Sequence, residues 1–121
     1  MIDTIGGTVV IVSDQQKAVE FYTQKLGFEL KTDMFFDSSN SSRGIRWVEV
    51  APKKSQSTVS LMVANAQLLS NEGEIEAAKK GIGTETGIWF YSDDIQSTYV
   101  ELKKKGVNIV APEKQEWKGI M

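Results

Sequence analysis

The sequence predicts a small α+β domain built from two related halves. Three observations carry that prediction. Short β-branched runs alternate with stretches of helical periodicity; one order of strand, cap, helix, glycine and strand occurs twice; and 121 residues suffice for one hydrophobic core but not for two independent ones.

The elements follow in order. Thr8 to Val12 is a β-branched run bounded by Gly6-Gly7 and Ser13-Asp14, which reads as a buried strand. Ser13 with Gln16 fits a capping box, so a helix is expected there, with Ala18, Phe21, Tyr22 and Leu26 on one face and Gly27 as its left-handed stop. Phe21 and Tyr22 are expected as core anchors. Phe28 to Met34 is the next strand. Asp37 to Arg43 is rich in Ser, Asn and Asp, whose side chains compete for backbone groups, and reads as a loop. Ile45 to Val50 and Thr58 to Val63 are strands joined by the polar turn Pro52 to Ser57, in the manner of a hairpin. The first half is therefore β-α-β-β-β, over about 1–64.

Residues of about 65–86 read as a connector, with Ile75, Ala78 and Lys79 placed to sit on a short helical stretch. The second half then starts again, over about 87–121. Ile88 to Tyr91 is a strand, Ser92-Asp93 opens a helix carrying Ile95, Thr98, Tyr99 and Leu102, Gly106 closes it, Val107 to Val110 is the returning strand, and Glu116 to Met121 begins another. Ser13-Asp14 matches Ser92-Asp93 and Gly27 matches Gly106, so the helical run has equal length in both halves. Val9 and Ile11 match Ile88 and Phe90; Phe28 and Leu30 match Val107 and Ile109.

Composition narrows the chemistry. With 14 Lys+Arg against 16 Asp+Glu, and a net charge of -2, the chain lacks the broad positive field that a nucleic-acid partner selects. There is no cysteine for a disulfide, a thiolate site or a thiol nucleophile, and no histidine for general base catalysis or metal ligation. No segment reaches membrane-spanning length and Met1 to Gly7 lacks signal-peptide character, so a cytoplasmic location is expected.

Val-Ile-Val-Ser-Asp followed by Ala18, Glu20-Phe21-Tyr22 and Leu26-Gly27-Phe28, then Ser-Asp-Asp-Ile with Glu101-Leu102 and Lys105-Gly106-Val107, resembles the vicinal oxygen chelate superfamily. This is the glyoxalase, bleomycin-resistance and extradiol-dioxygenase group. The resemblance covers nearly the whole chain. It implies paired βαβββ modules forming a curled mixed sheet around a cleft, usually in a homodimer. Family domains end with two strands beyond the position of Pro112, so the second module is expected to lack its last strand.

The resemblance also implies where a metal would sit in the family's enzymes. Those positions align with Gly7, about Leu61, and Gly87, with a fourth beyond Met121; Thr8, Ser60 and Thr86, one residue away, are weak ligands. No metal and no cofactor are expected. Glu49, Asp93 and Asp94 offer oxygen ligands for a hard cation. For Asp93 and Asp94 at a helix start, capping is the reading adopted.

Trp89 and Tyr91 share a strand face with Gly87, the cleft face in the family, and are the first ligand-binding candidates. A core or dimer contact is the competing reading for Trp89. Trp47 and Glu49 share a face of their strand, with Arg46 and Val48 on the other. Trp47 and Leu61 join the ligand-binding candidates, and Glu49 is a weak catalytic candidate, against a plain role in cross-strand pairing. The run Lys103 to Lys105 is a solvated helix end. The expected function is metal-independent binding of a small organic molecule, sequestering or sensing it. A metal-dependent lyase or dioxygenase, and a degenerate subunit kept for dimer contacts, are the alternatives.

Overall fold

A computed structural model describes residues 1–37, 44–64 and 71–113. The chain divides into two compact units, Met1–Gly87 and Ile88–Met121.

The first unit opens with strand β1 (Gly7–Ile11) and helix α1 (Gln15–Glu20), which runs on as a π-helical turn over Phe21–Lys25. Strands β2 (Glu29–Asp37), β3 (Gly44–Ala51) and β4 (Thr58–Met62) follow, then helix α2 (Glu72–Lys80). The strands form one open mixed sheet in the order β1-β4-β3-β2. β1 lies parallel to β4, from Gly7 opposite Thr58 to Ile11 opposite Met62. β2 and β3 are antiparallel from Glu29 opposite Ala51 to Asp37 opposite Gly44, with an irregularity between Leu30 and Thr32. β3 and β4 pair antiparallel at Glu49–Ser60 and Val50–Val59, across the Pro52 to Ser57 turn. The βαβββ order expected of the first half is present. The expected loop falls largely on residues 38–43, outside the described residues.

Alternation along the strands, combined with this register, sorts side chains onto two faces. One face carries Arg46, Val48 and Val50 of β3 with Val59 and Leu61 of β4. Helix α1 covers it: the Arg46 guanidinium donates to Gln16 Oε1 at 2.9 Å, and Val19 is buried. Val48, Val50 and Leu61 are completely buried there and form the centre of the core.

The helix start differs from the capping box read at Ser13. Asp14 is the cap, its carboxylate accepting from Lys17 N at 3.0 Å. A carboxylate at this position also meets the positive end of the helix, so Asp14 outcompetes the neighbouring hydroxyl. In the second unit the cap of helix α3 (Ile95–Lys104) is Asp94, accepting from Ser97 N at 3.1 Å. Gly27 and Gly106 stand after the two helices with φ of +75° and +81°. The run from Asp14 to Gly27 is thus one residue longer than that from Asp94 to Gly106. The π turn takes up that residue, with Leu26 N donating to Phe21 O.

Phe21 does not anchor the core: it is surface-exposed, packing edge-on against Tyr22. Tyr22 in turn packs against Phe28, and burial pushes its hydroxyl pKa up. Part of the expected connector is helix α2, capped by Asn71, with Glu72 and Glu74 in its first turn and Lys79 and Lys80 in its last. That charge order complements the helix dipole and stabilises a helix with no buried residue.

Among the described residues of the second unit, Ile88 to Tyr91 and Val107 to Val110 form no strand ladder, where the sequence predicts strands. Strand propensity reports fit to a pleated, half-buried surface rather than an intrinsic backbone preference. Trp89 and Tyr91 are 74% and 93% exposed. The expected strand from Glu116 lies outside the described residues. Lys103 and Lys104 close α3, and Lys105 pairs with Glu101 one turn back. Among the described residues no helix is long and apolar enough to cross a membrane.

Candidate functional site

The sheet face opposite α1 is the candidate site; it is exposed along β2 and buried at β4, where Ser60 and Met62 keep only 3% and 1% of their surface exposed. β3 contributes Ile45, Trp47 and Glu49. Register places Phe36, Met34 and Thr32 of β2 opposite them, and Ser60 of β4 opposite Glu49 from the other side. Met34 and Phe36 are each 52% exposed, although both are large and apolar. Such groups normally turn inward on a small sheet, and a cluster of them facing outward beside an aromatic marks a surface for contact.

Glu49 sits at the centre of this face in a fixed geometry. Thr58 Oγ1 donates to its Oε2 at 2.6 Å. The Thr58 hydrogen bond, then that of Thr32, hold the carboxyl below its ordinary range against the opposing effect of burial, with a smaller contribution from Trp47. The carboxylate is therefore ionised at neutral pH. A general base works best with a pKa near the operating pH, so this environment moves Glu49 away from that role.

The other named positions are distributed as follows. Trp47 and Glu49 are brought together on one face. Leu61, aligned by sequence with the cleft, lies on the helix-covered face with no exposed surface. Its parity with Val59 decides this: one residue of register exchanges the two faces, and Ser60 and Met62 are the β4 residues on Glu49's side. Trp89 and Tyr91 belong to the second unit. Asp94 is the α3 cap, its carboxyl lowered chiefly by the backbone N–H of Ser97. Thr32, Met34, Phe36 and Thr58 were not singled out by sequence. Alternation along β2 held the signal for three of them, but only the register shows which face they share with Glu49.

The sequence from residue 4 to residue 121 matches the family model described as Glyoxalase/Bleomycin resistance protein/Dioxygenase superfamily. The chain belongs to this superfamily. Among curated proteins it is similar to YetH of Bacillus subtilis (strain 168), at 32% identity over 118 residues, covering 97% of this chain and 85% of YetH. Among solved structures it is similar to TnmS3, an antibiotic binding protein from Streptomyces sp. CB03234, with a TM-score of 0.70 at 26% identity over 96% of this chain and 81% of that one. A superfamily member from Sphaerobacter thermophilus DSM 20745 has a TM-score of 0.70 at 29% identity, covering 95% of this chain and 81% of that one.

Superfamily enzymes of the glyoxalase and dioxygenase type imply a metal, and the aligned positions here do not fit one. A Cβ added at Gly7 would overlap the Thr58 carbonyl oxygen and lie 2.8 Å from Thr58 Oγ1. No ligand side chain fits there unless β1 and β4 separate. Leu61 is apolar and enclosed. Gly87 has φ of +75°, a conformation that strains any L side chain. Among the described residues no group of three or more Asp or Glu is placed to hold an ion.

Proposed function

We propose that this superfamily member binds a small organic molecule without a metal, and that it sequesters or senses that molecule rather than transforming it. The observation that carries the reading is the sheet face on which an apolar patch of Trp47, Met34 and Phe36 runs up to a fixed, ionised Glu49. Apolar surface with few placed polar groups is the usual make-up of a small-molecule site. The likeness in fold to TnmS3, an antibiotic binding protein, supports it. Trp47 and Glu49 are the binding residues of the first unit in this reading, with Leu61 as core beneath the sheet. Trp89 and Tyr91 are candidate aromatic contacts of the second unit. A cytoplasmic homodimer is the expected form.

Metal content by elemental mass spectrometry tests the first half of the proposal, before and after soaking with nickel, zinc, manganese and iron(II). The expected result is no stoichiometric retention. One tightly held ion per chain would overturn metal independence and redirect work to lyase and dioxygenase assays. Ligand screening by tryptophan fluorescence tests the second half, with quenching expected in the parent protein and weakened in Trp47→Ala.

A further inference from the structure

We infer that Glu49 makes the Trp47 face selective for planar ligands that carry a positive charge. The inference rests on the small-molecule reading above and adds the ligand's chemical class. Glu49 receives its hydrogen bonds from neutral groups: the Thr58 hydroxyl at 2.6 Å, with Thr32 and Trp47 beside it. These donors fix the carboxylate without cancelling its charge. Among the described residues no Lys or Arg forms an ion pair with it. The nearest guanidinium in sequence, Arg46, is on the opposite face, with both Asp33 oxygens as partners at 3.0 and 2.9 Å. A carboxylate has room for about four hydrogen bonds, so with Thr58, Thr32 and Trp47 as donors about one place is left for a ligand.

Thr32, Thr58 and the buried Ser60 are the neighbours of that charge, and a part-exposed apolar patch begins at Trp47 on the same face. Trp47 lies two residues away on the same face, and Met34 and Phe36 are half-exposed on the neighbouring strand. Indole, thioether and phenyl groups all favour flat aromatic surface, and the indole face also attracts cations. One ligand class satisfies both features: an aromatic plane laid on Trp47 and Met34, bearing a protonated nitrogen that reaches Glu49. An anionic ligand of the same shape meets repulsion there, and a neutral one leaves the carboxylate without its counter-charge.

The test is isothermal titration calorimetry of the whole chain with three planar probes of similar size: proflavine, which is cationic at neutral pH, acridone, which is neutral, and acridone acetate, which is anionic. Proflavine is expected to bind about tenfold or more tightly than acridone, as a charge-assisted contact predicts, and acridone acetate more weakly still. In Glu49→Gln the preference for proflavine should fall to within about twofold, with amide NMR shifts placing all binding on β3. Because the three probes are compared on the unaltered protein, the result stands even if the variant folds poorly. Equal affinity for proflavine and acridone, or a preference that survives Glu49→Gln, would refute charge selection and leave the small-molecule reading in place. Shifts located away from β3 would refute the site. Failure of all three probes, and of a broad screen, would remove both.

Discussion

At the scale of single residues, two of the carboxylates held by side chains on this sheet, Asp33 and Glu49, set an acid limit to stability. Asp33 is lowered from 3.8 chiefly by its hydrogen bonds from Arg46, and Glu49 from 4.5 chiefly by Thr58. Unfolding returns both to ordinary values, so the unfolded chain takes up protons first as the pH drops. Their contribution is complete above about pH 5 and is lost as the pH falls through the two lowered values. Both groups are solvent-screened, so each is worth no more than about 1 kcal/mol. Thr58→Val removes the leading cause at Glu49. Urea unfolding followed across the acid range should show a shallower loss of stability in the variant, and an NMR titration should show the Glu49 carboxyl moving up. An unchanged Glu49 titration would mean that Thr58 is not what holds it. Gly7 makes a separate prediction. Because a methyl there would press on Thr58, Gly7→Ala should cost about 1–3 kcal/mol, read from thermal melting.

At the scale of elements, β3 and β4 are held at one end by a side chain rather than by their own ladder. Beyond Glu49–Ser60, the Gln15 amide donates to Arg46 O at 2.8 Å and Leu61 O at 2.7 Å, tying both strands to the start of α1. Gln15→Ala leaves two part-buried carbonyls without that donor. The expected cost is about 1–3 kcal/mol in chemical unfolding, with faster hydrogen exchange at the β3 and β4 amides near it. Preserved exchange protection there would show that the strands hold themselves. This contact also marks how far the sequence was legible. The β-branched runs, the positive-φ glycines after both helices and the polar turn at Pro52 are local signals, and the βαβββ order followed from them. Gln15 sits at a helix start in sequence, and its partners lie 31 and 46 residues away, which no local pattern encodes. The faces failed for a related reason. Alternation pairs Trp47 with Glu49 from sequence alone, yet only the ladder shows that Leu61 lies opposite to them, and that Thr58 reaches the carboxylate. In the second unit the runs Ile88 to Tyr91 and Val107 to Val110 form no ladder among the described residues.

At the scale of the whole molecule, the sheet order β1-β4-β3-β2 makes β1 and β2 the outer strands among the described residues, and the two are protected very differently. β2 carries Lys31 and Asp33, each in an ion pair, which discourages the addition of another strand. β1 is Gly-Thr-Val-Val-Ile, with no charge and no proline, and Val9 on it is half-exposed. An uncharged β-branched edge is the one expected to recruit a second copy, which gives the proposed homodimer a definite surface. Sedimentation equilibrium of the parent protein should then return twice the chain mass. Thr8→Lys places a charge on an exposed position of that edge without disturbing the core, so it should shift the equilibrium to monomer by tenfold or more in dissociation constant while secondary structure by circular dichroism is unchanged. A parent protein that stays monomeric at about 100 μM, a concentration at which even weak specific contacts populate, would rule out the homodimer. A dimer indifferent to Thr8→Lys would put the interface somewhere other than β1.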